Sequence, residues 1–203
     1  MINNLPQYLH DEVVQVRRDL HKIPEIAFNE TKTSEYIQNF LKINDIEYQG
    51  NIAKTGVIAE IKGGKKGPNV LGLRADIDGL PINEDTNLSF KSDNGNMHAC
   101  GHDGHVAIML ISLKYLKSIQ SEISGTLRVI FQPAEEEIGG AKVMLKEKPE
   151  LFEDITHMFG FHIWNQIETG KIAFNDSTVF VSADTFEIEI FGKGGHGAMP
   201  HLN

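Results

Sequence analysis

Gly56-Val-Ile-Ala-Glu-Ile-Lys62, Gly63-Gly-Lys-Lys-Gly-Pro68 and Asn69-Val-Leu-Gly-Leu-Arg-Ala-Asp76 follow one another directly, and their reading decides the fold. The first run is short and β-branched and reads as a strand. The second is a turn by composition, and the third reads as the return strand. Moving outward, the period changes. Leu9, Val13, Val16 and Leu20 recur at three-to-four spacing, and so do Tyr36, Ile37, Phe40 and Leu41, which predicts amphipathic helices over 6–21 and 31–43. Residues 103–119 predict an apolar helix with Val106, Met109, Leu110, Leu113 and Leu116 on one face. A strand over 126–131, a short helix near 139–147 and a strand over 157–163 follow. Helices and strands mix throughout, so the class is α/β. Residues 182–191 differ: Phe186, Ile188 and Ile190 alternate with Thr185, Glu187 and Glu189, as in a half-buried strand with one wet face. A lone strand cannot bury its own apolar face. Residues 1–179 therefore read as one domain and 180–203 as the start of a second, unfinished one.

Composition narrows the function. The 203 residues are 40% hydrophobic and 23% charged, an ordinary globular mixture. A net charge of −9 without a basic run argues against a nucleic-acid partner. The single cysteine cannot close an internal disulfide, so a reducing compartment fits. The N-terminus lacks a signal-peptide pattern, and no stretch approaches the ~18 apolar residues of a membrane span. The expectation is a cytoplasmic protein.

Chemistry concentrates in Met97-His-Ala-Cys100-Gly-His102-Asp-Gly-His105, which holds three of nine histidines and the only cysteine. Imidazole, thiolate and carboxylate bind borderline divalent metals. Cys100 and His102 precede the apolar helix, whose N-terminus should favour the thiolate; a buried inert cysteine is the alternative. Without a Cys-x-x-Cys pair the site is not a structural zinc knot. Other polar groups follow strands, where α/β proteins collect function. Asp76 and Asp78 end one strand, although both are also good turn caps. Glu135-Glu136-Glu137 follow another and read either as a solvated acidic run or as a metal ligand beside a general base. His162 ends a third and reads as ligand or core residue. His21 reads as a structural helix-end residue.

Five motifs, in order, carry a resemblance: Arg18-Asp-Leu-His21-Lys-Ile-Pro24-Glu25, Leu73-Arg-Ala-Asp76-Ile-Asp78-Gly-Leu-Pro81, the nonapeptide 97–105, Phe131-Gln-Pro-Ala-Glu135-Glu136 and Gly194-Gly-His196-Gly-Ala-Met-Pro-His201. Together they resemble the metal-dependent M20 peptidase and amidohydrolase family. The similarity is to its N-acyl-amino-acid amidohydrolase branch, which includes hippurate hydrolases, N-acetyldiaminopimelate deacetylases and auxin-conjugate hydrolases. The resemblance implies a mixed-sheet α/β catalytic domain flanked by helices, with a smaller α/β lid domain inserted. It implies Cys100, His102, Glu136 and His162 as ligands of two divalent ions (zinc or manganese, with cobalt or nickel also suited). It implies Glu135 as general base, Asp78 as a supporting aspartate and His196 as a lid residue stabilising the oxyanion. The implied substrate is a small N-acyl amino acid, with a dipeptide as the alternative from other branches, and the implied assembly is a homodimer. Family members are much longer and supply one more ligand histidine near their C-terminus. The sequence therefore resembles the N-terminal half of such an enzyme, and an inactive truncated half is the rival expectation.

Overall fold

A computed structural model describes residues 6–137, 139–174, 186–189, 191–199 and 201. The chain divides into two compact units, Met1–Trp164 and Asn165–Asn203. In the first unit the order is α1 (Gln7–His21), α2 (Thr31–Ile43), β1 (Glu47–Ile52), β2 (Gly56–Lys62), β3 (Lys65–Asp76), α3 (His102–Ser118), β4 (Ser124–Gln132), α4 (Gly140–Glu147) and β5 (His157–Gly160). The expected helices and strands fall within a few residues of these elements. β1 was not foreseen: Glu-Tyr-Gln-Gly-Asn-Ile offers little apolar alternation to read.

The strands form one mixed sheet in the order β1-β2-β4-β3-β5. This corrects the return-strand reading of 69–76. β2 and β3 do not pair; β4 lies between them, antiparallel to β2 and parallel to β3. The glycines at 63–64 instead carry the chain past the start of β4, bonded to Gly125 O at 2.8 Å and Gln120 O at 2.8 Å. Gly125 permits the crossing. Its φ is +82°, and a Cβ there would lie 2.3 Å from the Asn69 carbonyl oxygen. Two apolar runs around a glycine turn look alike whether they pair with each other or flank a third strand, so local pattern could not separate the cases.

Alternation along the strands builds two layers. Val57, Ala59 and Ile61 of β2 and Leu127, Val129 and Phe131 of β4 join α1, α2 and α3 on one face. Ile58 and Ile130 point the other way, onto Met144 of α4. Each fully buried Leu, Ile or Phe contributes roughly 1.5–3 kcal/mol over leaving it in water. The first three turns of α3, from His102 to Leu113, are mostly buried, which fits the apolar run that begins at Val106. On the second face Arg128 is held by Glu60 at 2.6 Å and by Asp154.

β3, β4 and β5 run parallel, so Asp76, Gln132 and Gly160 end at the same edge of the sheet. α3 begins there. This is the arrangement that gathers polar loops at one end of an α/β sheet. β5 stops at Gly160, short of the expected 163, so His162 lies on the loop beyond it.

In the second unit, most of residues 175–190 lie outside the described residues, and with them the expected boundary near 180. The described part of the alternating segment, 186–189, is not in a strand, and Phe186 and Ile188 are exposed. Among the described residues no helix is long and apolar enough to cross a membrane.

Candidate metal centre

Four loops bring the donors together. Gly101, with φ +91°, turns the chain into α3 and sets Cys100 beside the helix start. Cys100 Sγ lies 3.3 Å from His162 Nε2. The chain after β4 turns through Pro133 and Ala134, the latter buried with φ +50°. This strained turn is propped by Glu30, a fully buried carboxylate that accepts the Ala134 amide at 2.8 Å and the Thr55 hydroxyl at 2.5 Å. It presents Glu135 and Glu136 toward His102, whose Nε2 lies 3.9 Å and 3.8 Å from their carboxylates.

Hydrogen bonds decide which nitrogen each ring presents. His102 Nδ1 lies 2.9 Å from the Asp78 carbonyl oxygen and 3.2 Å from Asp78 Oδ1. A carbonyl only accepts, so Nδ1 carries the hydrogen and Nε2 is the atom turned to the donors. The same logic applies to His162: its Nδ1 donates to Ile163 O at 2.7 Å, leaving Nε2 beside Cys100. Asp78 also accepts the Glu136 amide at 3.0 Å, so one carboxylate aligns two loops.

Three sets of donors lie within 4.8 Å of one another: Cys100, His102 and His162; His102, Glu135 and Glu136; and Asp76, His102 and His105. His102 belongs to all three. Its Nε2 and Glu136 Oε1 are buried without a hydrogen-bond partner among the described residues. Orphaned buried polar atoms are costly in a native protein. Two donors sharing a zinc ion sit about 3.4 Å apart, given bonds near 2.1 Å and tetrahedral geometry. The observed gaps of 3.3–3.9 Å match that spacing and, between oxygen and nitrogen, exceed hydrogen-bond length. The donor set fits divalent cations.

Electrostatics points the same way. Burial pushes the Cys100 thiol up to about 12, helped by the carboxylates of Glu136, Glu135 and Asp76. The helix N-terminus, expected to favour the thiolate, is thus outweighed by burial first and by the surrounding negative charge second. Burial raises the Glu135 carboxyl as well; His102 opposes this, while Glu136 and Asp76 add to it. Asp76 is penalised by burial, yet its bond to His105 and the charges of His102 and Arg74 hold it at about 2. Acids that repel one another in a buried cluster are relieved by a cation.

The structure therefore brings Cys100, His102, Glu135, Glu136, His162 and Asp78 together. His196 lies in the other unit, where its Nδ1 accepts the Ala198 amide at 3.2 Å. Asp76 and His105 were not assigned to the site from sequence. Asp76 looked like a turn cap, and only the spacing of His102 and His105, three apart on one helix face, could have signalled the second.

A second buried network braces the start of α3. Asp103 Oδ1 accepts the Gly104 amide at 2.9 Å. Asp103 Oδ2 takes Arg17 Nε at 2.8 Å and His21 Nδ1 at 2.7 Å, and His21 Nε2 reaches Glu84 at 3.2 Å. His21 is thus more than a helix-end residue: it ties α1 to the helix that carries His102. The Asp103 hydrogen bond raises its pKa above 6.5 against the opposing effect of burial. A raised folded value contributes stability fully present below the unfolded pKa and lost as pH rises through the folded one. Urea midpoints should therefore decline as pH rises above 6.5, and His21→Gln should flatten that decline. Parallel slopes in both proteins would exclude His21 as the source.

The profile of peptidase family M20/M25/M40 matches residues 72–202. N-acetylcysteine deacetylase of Bacillus subtilis (strain 168) is 43% identical over 194 residues, 95% of this chain and 50% of its own length. Hippurate hydrolase of Campylobacter jejuni is 40% identical over 204 residues, 98% of this chain and 52% of its own. The chain thus spans about half the length of the curated relatives it matches. Among solved structures, Bacillus subtilis YXEP, a dinuclear metal-binding peptidase of the M20 family, superposes with a TM-score of 0.73 at 44% identity. The match covers 78% of this chain and 44% of that one.

Proposed function

Because this chain belongs to peptidase family M20/M25/M40, we propose that it forms the metal-binding half of an amidohydrolase that cleaves the amide bond of N-acyl amino acids. One observation carries the reading. His102, held at Nδ1 by Asp78, shares one donor set with Cys100 and His162 and another with Glu135 and Glu136. In this reading Cys100, His102, Glu136 and His162 hold two divalent ions. Ions bound there would polarise the scissile carbonyl and bring the pKa of a water toward ~7.

The remaining work belongs to the chain. Glu135, with a side chain 39% exposed, is the carboxylate open to a substrate. It takes a proton from the attacking water and delivers it to the departing amine, so one group serves as base and then acid. Its burial-raised pKa suits both duties. Asp78 keeps His102 in one tautomer and orientation. His196 is proposed, from the family resemblance alone, to stabilise the charge that develops on the carbonyl oxygen. The names of the relatives support the substrate class, since N-acetylcysteine and hippurate are both N-acyl amino acids. A cytoplasmic homodimer completes the proposal.

The test combines metal analysis with hydrolysis assays on N-acetyl and N-benzoyl amino acids and on dipeptides. Bound zinc or manganese with release of free amino acid from the acyl substrates supports the proposal. Absence of tight metal defeats the ligand assignment, and cleavage of dipeptides alone replaces the substrate class.

A further inference from the structure

Three imidazoles meet at the carboxyl edge of the sheet. Two present Nε2 to the donor cluster, and the third does not. We propose that His105 is a positioning residue that fixes the loop carrying His162, and is not itself a metal ligand. The inference rests on the metal reading above, although its core is a hydrogen-bonding arrangement that exists without metal.

The Ile163 backbone amide donates to His105 Nε2 at 2.9 Å. An amide N–H can only donate, so Nε2 spends its lone pair there. Nδ1 must then carry the hydrogen, and it lies 2.5 Å from Asp76 Oδ1. Neither ring nitrogen is left for an ion, although Asp76, His102 and His105 are close enough to resemble a ligand set. The arrangement continues outward: Asp76 Oδ2 takes Arg74 at 2.6 Å, and Arg74 Nε donates to Gln132 Oε1 at 3.0 Å. This chain of bonds links the ends of β4 and β3 to α3, and α3 to the residue after His162.

Placement explains the need. The ladder between β3 and β5 ends at Gly160, so the Ile163 bond takes over where strand pairing stops. The His162 ring stands edge-on to His105 with centroids 4.6 Å apart. Its Nδ1 is held by the carbonyl of the same Ile163. Fixing residue 163 therefore fixes the ring of residue 162. Gly104 adds an independent sign of close docking, because a Cβ there would fall 2.5 Å from Ile163 Cδ1.

The experiment uses the full chain with 15N-labelled histidine. Without metal, His105 should show the Nδ1-protonated tautomer and the Ile163 amide should exchange slowly. On titration with 113Cd, His102 and His162 should show cadmium coupling at Nε2 and His105 none. His105→Leu should speed Ile163 exchange and weaken cadmium affinity about 10–100-fold, the range for groups that orient ligands, with stoichiometry kept. His105→Gln, whose amide can both donate to Asp76 and accept from Ile163, should recover most of both. Cadmium coupling at His105, an Nε2-protonated ring in the metal-free chain, or unchanged Ile163 exchange in His105→Leu each overturns the proposal. If the chain takes up no cadmium, the metal reading fails by itself; the tautomer and the exchange rate still decide whether His105 holds the loop.

Discussion

Glu135→Gln is expected to lower hydrolysis of an N-acyl amino acid by about 10²–10⁴-fold, the usual contribution of a positioned acid–base group, while bound metal stays unchanged. The substitution keeps shape and hydrogen-bonding capacity and removes the ability to accept a proton. Its neighbour supplies the contrast. Glu136 has a less exposed side chain, 21% against 39%, an orphaned Oε1, and an amide anchored on Asp78. Glu136→Gln should therefore weaken metal binding first and lose activity as a consequence, recoverable in part at high metal concentration. Glu135→Gln should not recover at any metal concentration. Turnover and metal content measured on the same samples separate the two. Near-normal turnover in Glu135→Gln would remove it as the base, and metal loss in that variant would move it among the ligands.

These contrasts between neighbours are where sequence reading reached its limit. The motif 97–105 announced metal chemistry because its side chains suit little else at that density. The period of apolar residues located most elements, because burial on one face leaves a local imprint. What stayed hidden depends on distance in space. Nothing local says that β4 separates β2 from β3, since pairing is settled by α3 returning the chain to a parallel position. Glu30 lies 104 residues before the amide it caps, and no spacing rule links them. Asp76 and Asp78 looked equivalent as turn caps, yet one grips His105 and the other His102. Cys100 was expected to ionise at a helix start; burial, reinforced by the carboxylates of Glu136, Glu135 and Asp76, reverses that. Types of donor were legible in the sequence, and their roles depended on the fold.

His102→Ala should remove most of the metal-dependent stabilisation. A ligand that binds only the folded state adds RT ln(1 + [L]/Kd), about 2.7 kcal/mol at a hundred times Kd. His102 belongs to each of the three donor sets, so no pair of the remaining groups replaces it. Its removal should weaken binding by at least ~100-fold, beyond the 10–100-fold typical of groups that only orient a ligand. At a concentration that gives the unaltered chain 2.7 kcal/mol, a hundredfold loss leaves about 0.4 kcal/mol. The metal-free variant should also be less stable, because Asp78 loses the ring that donates to it and a hydrogen bond left unmade in a buried site costs ~1–3 kcal/mol. Urea unfolding with and without zinc reads both effects. Folding alone cannot mimic the first, since it is a difference between two conditions on one variant. An equal zinc-induced shift in His102→Ala and the unaltered chain would show that the cation sits elsewhere, and the assignment of Cys100, His162 and Glu136 would fall with it.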